Sequence, residues 1–133
     1  MTIKLILFWA ARIIAAVIML QTLFFKFTAS SESVYIFTMV GMEPWGRIGV
    51  GVMELGASIL ILISTTAWIG AAVALGLMGG AIIMHLTILG IIVQSDGGQL
   101  FIYAVIVTIC SLYVIWYDSE RIRAVLRKFT SKS

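Results

Sequence analysis

The sequence predicts an all-α integral membrane protein: a bundle of four spanning helices with a short interfacial helix between the first two. Three observations predict it. Of 133 residues, 62% are hydrophobic and only 11% charged, and the mean hydropathy is +1.13, outside the range of soluble domains. Four apolar stretches, at about 5–25, 45–64, 68–93 and 100–117, are each long enough at ~1.5 Å per residue to cross a hydrocarbon core of ~30 Å. The ionisable residues inside them fall on helix faces that can meet in one interior.

The opening residues resemble a secretory signal, with Lys4 ahead of an apolar run. Arg12 interrupts that run, however, and it continues to Phe25, so Leu5 to Phe25 is read as a retained span closed by Lys26. Residues 27–44 are mixed in character. Ser30 or Ser31 can cap a short helix over Glu32 to Val40, with Glu32 in its first turn and Gly41 as its stop; Val34, Phe37 and Val40 would face inward. This helix would lie over the bundle as a lid. Pro44 suits the first position of the second span, where its missing N–H is not needed.

Ser64, Thr65 and Thr66 make a polar corner before the third span, Trp68 to Val93. There Ala72, Gly76 and Gly80 repeat every four residues, a stripe of small side chains that predicts close approach of another helix. Residues 94–99, QSDGGQ, form a tight turn, and the fourth span follows without a charge. One transmembrane domain therefore covers 1–117. A basic tail over 118–133 is expected to be helical through Arg127, with Val125, Leu126 and Phe129 at the membrane surface.

Five of the nine basic residues lie in the last thirteen positions, so the charge marks a tail for anionic headgroups and no nucleic-acid surface. Lys4 and the cluster Arg121, Arg123, Arg127, Lys128 and Lys132 share one side of a four-span topology, which predicts cytoplasmic termini. A single cysteine, Cys110, excludes an intramolecular disulfide or a thiolate metal cluster.

Glu54 is the chain's principal functional candidate, because an ionised carboxylate at the bilayer centre costs ~3 kcal/mol or several times more. Its possible partners are Arg12, Lys26, Arg47 and His85. At ~100° per residue, Arg12 and Lys26 stand about 40° apart on the first helix. Arg47, Gly51, Glu54 and Ser58 form one stripe on the second, and Ala74, Met78, Ala81 and His85 another on the third. Depth along the helices places Lys26, Arg47, Glu54 and His85 in a polar pocket in the outer half, closed by 27–44. Arg12 reaches Glu54 from below or extends to the cytoplasmic interface. A structural reading stands beside each residue: Glu54 in an ion pair that sets helix register, His85 as a hydrogen-bonded core histidine. One His and one Glu are too few for a tight metal site.

These residues carry a resemblance. Arg12 followed by Lys26 in RIIAAVIMLQTLFFK, the stretch GMEPWGRIGVGVMELGASILIL, and a small-residue third helix ending in MHL resemble the DoxX-like family of small four-helix membrane proteins, from Arg12 to Tyr117. Gln21 and Phe25 depart from the small residues expected beside the lysine. The resemblance implies a bacterial cytoplasmic membrane protein and a link to quinone-associated redox or oxidative-stress chemistry.

A quinone needs an apolar slot with groups that hydrogen-bond its carbonyls, roles that Lys26, Glu54 and His85 suit. The chain has no haem-binding His pair, flavin fingerprint or cysteine cluster, so no intrinsic cofactor is expected and electrons would have to come from a membrane or soluble redox partner, or from free quinol. Two other classes remain open at this stage. One is a non-catalytic assembly or chaperone-like module; the other is a small-solute carrier, which would call for a homo-oligomer because four short helices show no inverted repeat.

Overall fold

A computed structural model describes residues 2–94 and 96–131; Ser95 of the 94–99 turn and Lys132 of the basic tail lie outside the described residues. Six α-helices follow in order: α1 (Ile3–Phe27), α2 (Ser31–Met39), α3 (Trp45–Leu62), α4 (Ala67–Met84), α5 (Gln99–Tyr117) and α6 (Ser119–Ser131). A π-helical turn, His85–Leu89, extends α4. Four segments, Ile3–Phe27, Trp45–Leu62, Ala67–Leu89 and Gln99–Tyr117, are long and apolar enough to cross a membrane. The protein is a multi-pass membrane protein built as a four-helix bundle.

Each helix begins or stops for a local reason. Thr2 caps α1 by accepting from the Leu5 N–H, and Ser30 caps α2 by accepting from Ser33. Pro44 precedes α3 as its cap residue, one position earlier than the sequence pattern placed it. The third span stops at Leu89, short of Val93, because Gly90 takes φ +79° and turns the chain out of the helix. Asp96 then organises the turn into α5, its carboxylate accepting from the N–H groups of Val93, Gly98 and Leu100 at 2.9, 2.8 and 3.3 Å. Burial works to raise the Asp96 pKa, but these backbone bonds outweigh it and hold the carboxyl below its usual range, with His85 adding to the effect.

The spans pack in a ring, α1 against α3, α3 against α4, α4 against α5 and α5 against α1. Small side chains let them approach closely. Ala11, Ala15, Ala16, Ala57, Ala67, Ala71, Ala74 and Ala104 are buried around Met19, Ile61, Met78, Val107 and Val114. The outward faces carry Val17, Phe24, Ile59, Ile83, Ile109 and Leu112, an apolar surface far larger than a water-soluble protein exposes and suited to lipid.

The closest helix approach differs from the expected stripe. It lies at Gly70, where a Cβ would stand 2.5 Å from the Ile61 nitrogen and 2.7 Å from the Ala57 oxygen. Ala72 and Gly76 are exposed, and a Cβ at Gly76 or Gly80 meets nothing within 4 Å. A four-residue repeat defines a face but does not say which neighbour covers it, and here the packed face, with Gly70, Ala71, Ala74 and Met78, lies roughly 120–160° around the helix from Gly76. Gly70→Ala is therefore expected to destabilise the bundle by about 1–3 kcal/mol through overpacking. Gly76→Ala should leave the melting temperature unchanged or raise it, as thermal unfolding in detergent would show.

At the end carrying the chain termini, Phe8 stacks on Tyr117 with ring centroids 4.1 Å apart, and the Tyr113 hydroxyl donates to the Lys4 carbonyl at 2.9 Å. Arg12 belongs to this end. Its guanidinium donates to the carbonyls of Ile61 and Leu62 at 2.7 and 2.8 Å and to the Ser64 hydroxyl at 3.2 Å, beneath the rings of Phe8 and Trp9. It is fully buried, so it neither reaches Glu54 nor extends to an interface. The reason is that the end of α3 leaves carbonyls without intrahelical partners, and a planar five-donor group one helix away satisfies them.

Arg121 adds a bond to the Ser64 carbonyl at 3.0 Å, which fixes the start of α6 to the same corner. Beside these two arginines Asp118 is buried; burial raises its pKa while Arg121 and Arg12 oppose the rise. Further along α6, Leu126 and Phe129 are exposed on the flank of a helix that carries Arg123, Arg127 and Lys128.

Candidate functional site

The opposite end of the bundle holds the site. On α3 the faces of Arg47, Gly51, Glu54 and Ser58 are all buried, as the helical period predicts. Glu54 is 2% exposed and meets Lys26 from α1, Nζ to Oε1 2.8 Å; its second oxygen accepts from the Thr22 hydroxyl at 2.7 Å. Thr22 lies one turn before Lys26 on α1, so one face of that helix supplies both partners. Both carboxylate oxygens are thus engaged by α1, and the pair joins two neighbouring spans at depth.

Above and beside the pair is a cavity of about 290 Å³. Thr22, Lys26, Glu54 and His85 line it together with a larger set of apolar groups, including Ile18, Met19, Leu77, Met78, Met84 and Leu89. Helix α2 closes it. Phe37 is the buried anchor of that lid, while Glu32, Ser33 and Ile36 form its inner wall; Val34 and Val40, expected to face inward, are only half-buried. The inner face is therefore rotated by about one residue from the expected one.

His85 is buried at the start of the π-helical turn. Its Nδ1 lies 2.9 Å from the Gly90 carbonyl, which can only accept, so Nδ1 carries the proton and in the neutral ring Nε2 is the acceptor. The ring also meets the edge of Phe101, with centroids 5.7 Å apart.

Two residues expected in this pocket stand outside its walls. Arg12 is at the far end of α1, about 21 Å away along the helix from Lys26 at ~1.5 Å per residue. Arg47 is buried close by but committed elsewhere: its Nε donates to both oxygens of Glu43 at 2.9 and 3.0 Å, and Nη1 donates to the Lys26 carbonyl. It ties the last turn of α1 to the start of α3 and thereby positions the backbone of Lys26.

Two residues not singled out from the sequence do line the cavity. Thr22 carried a usable signal, the four-residue spacing from Lys26. Glu32 carried a misleading one, since an acid in a first helical turn is ordinarily explained by the helix dipole. Its Oε1 is buried with no hydrogen-bond partner among the described residues. Burial raises the Glu32 pKa above the usual carboxylate range, and nearby Asp96 raises it further.

Gly76 and Gly80 form part of the α4 wall. Among the described residues no three His, Cys, Asp or Glu side chains come together as a metal site.

The chain matches no curated protein and no solved structure. A family comparison does match, over residues 7–87, a range that takes in Arg12, the Lys26–Glu54 pair, the lid and His85. The four-span architecture agrees with it, and the chain belongs to the DoxX family.

Proposed function

We propose that the protein is a membrane subunit that binds a quinone or similar lipophilic ring in the lidded cavity, in the service of redox or oxidative-stress chemistry. The observation that carries this reading is a largely apolar cavity with the half-buried Lys26 paired to buried Glu54, and buried His85, in its wall. Such a lining accepts a flat apolar body and offers a few polar groups that orient it. The wall at Gly76 and Gly80, where side chains are lacking, gives a molecule dissolved in the bilayer a lateral way in.

The redox equivalents would come from a partner or from the quinol itself, since one His and one Cys make neither a haem-binding His pair nor a cysteine cluster. We place the protein in a bacterial cytoplasmic membrane with both termini cytoplasmic, supported by Lys4 and the basic α6 at one end.

The test is titration of the purified protein in nanodiscs with a short-chain quinone, followed by quenching of intrinsic tryptophan fluorescence. Saturable binding is expected, weakened roughly tenfold in Glu54→Gln, a loss of ~1.4 kcal/mol. Absence of saturable binding in the wild type defeats the reading.

A second reading has its own support. Both oxygens of Glu54 are satisfied inside the protein, so the pair is complete without a ligand and would serve equally in an assembly module. In that case Glu54→Gln lowers folded yield and alters no binding.

A further inference from the structure

The residue that the Lys26–Glu54 pair leaves unexplained is Glu32. Beside the apolar cavity lies a second, more polar cleft, rimmed by Gln21, Ser31 and Gln99, all exposed. Glu32 belongs to the wall of both. Its buried Oε1 has no partner among the described residues, although a buried carboxyl oxygen ordinarily finds one.

The ionisable and charged groups around it come from every neighbouring element: Lys26 on α1, Glu54 on α3, His85 after α4, Asp96 in the turn and Tyr103 on α5. Lys26 is spent on Glu54, and Arg47 on Glu43. Among the described residues neither this lysine nor this arginine is therefore free to hold Glu32 as an anion, and Asp96 opposes that form.

We propose that Glu32 is the cavity's hydrogen-bond donor and proton-exchange group, giving a hydrogen bond as a neutral acid to a carbonyl or similar acceptor oxygen of the bound ring. This rests on the reading of the cavity as a site for a lipophilic ring. The proton passes from the carboxyl to water in the polar cleft and returns by the same route, with no bond to the ligand made or broken. The two cavities then have separate tasks: the apolar one admits the ring from the bilayer side, and the polar one connects Glu32 to water. A ring without an acceptor oxygen loses this contact.

Two measurements on the full chain test the proposal. A hydrophobic carbodiimide reacts with protonated carboxyls in apolar surroundings, so dicyclohexylcarbodiimide should modify Glu32 in mildly acidic buffer. The label should fade toward alkaline pH and fall severalfold when a short-chain quinone is added. Exposed Glu120 serves as the reference carboxyl. Labelling of Glu32 no greater than that of Glu120 at every pH overturns the proposal, and this arm needs no variant.

In the second measurement, wild-type affinity for the quinone should weaken as pH rises past the Glu32 pKa, by up to about tenfold per pH unit, the slope of one linked proton. Glu32→Gln keeps an N–H donor and should bind with that slope abolished. Binding that retains its pH dependence in Glu32→Gln overturns the Glu32 assignment alone. Absence of quinone binding by the wild type at any pH overturns the ring reading, and the donor role with it.

Discussion

Glu54→Ala is expected to cost about 3–5 kcal/mol, since it leaves the Lys26 ammonium in a largely apolar wall with its anion gone, while the Thr22 hydroxyl falls back on the Met19 carbonyl. Lys26→Met should be comparably harmful, because Glu54 is 2% exposed and retains only Thr22. The informative variant carries both Lys26→Met and Glu54→Leu. Removing a buried pair together and filling its volume with apolar groups is often neutral or stabilising, so the double variant should recover most of the thermal stability lost by either single change.

Thermal unfolding in detergent measures that recovery, and quinone titration of the same protein separates the two roles of the pair. A folded double variant that has lost the ligand shows that the charges serve binding. A folded double variant that binds like the wild type assigns them to the architecture, in which case the cavity's specificity lies with Glu32 and His85.

Arg12→Met should be the next most damaging change. The guanidinium donates to the carbonyls of Ile61 and Leu62 and to Ser64, and hydrogen bonds to a charged group are each worth about 1.5–3 kcal/mol. Their loss strands two carbonyls at the end of α3, and a total cost of about 3–5 kcal/mol is expected. Arg12→Lys should regain only part of it, because an ammonium on a narrower stem cannot serve the same planar set of acceptors. Unfolding midpoints of the three proteins, together with their susceptibility to proteolysis at residues 63–66, check the order: wild type, then lysine, then methionine. An Arg12→Met protein as stable as the wild type would remove the guanidinium from its structural role.

Periodicity makes much of this legible in the sequence. A hydrophobic span reports its own length, and the period of a helix reports which residues share a face, so the four spans and the buried stripe on α3 follow directly from the sequence. Lys26 stands among four possible partners of Glu54, and the pairing itself is seen only in three dimensions. What periodicity leaves out is competition for partners. Arg12 has a face in common with Lys26, yet the bare carbonyls at the end of α3 engage it first. Arg47 is four residues from Glu43 and pairs there before it can turn to the cavity. Glu32 was obscured for the opposite reason: its helix position already had a sufficient local explanation, and only the three-dimensional wall shows its unpaired oxygen.

The corner at Ser64 has a bearing on how the molecule moves. Arg12 and Arg121 both bond to that corner from outside the α3–α4 hairpin, and the Phe8–Tyr117 stack closes the bundle beside it. The lid end is fastened more sparsely, chiefly through Phe37, the Arg47 contacts and the Asp96 turn. Stiffness is therefore graded along the membrane normal, like a tuning fork gripped at its stem. Amide hydrogens of α2 and the turn before α5 should exchange with deuterium well before those flanking Ile61, so that fluctuations able to admit a guest are concentrated in the half of the protein where a guest fits.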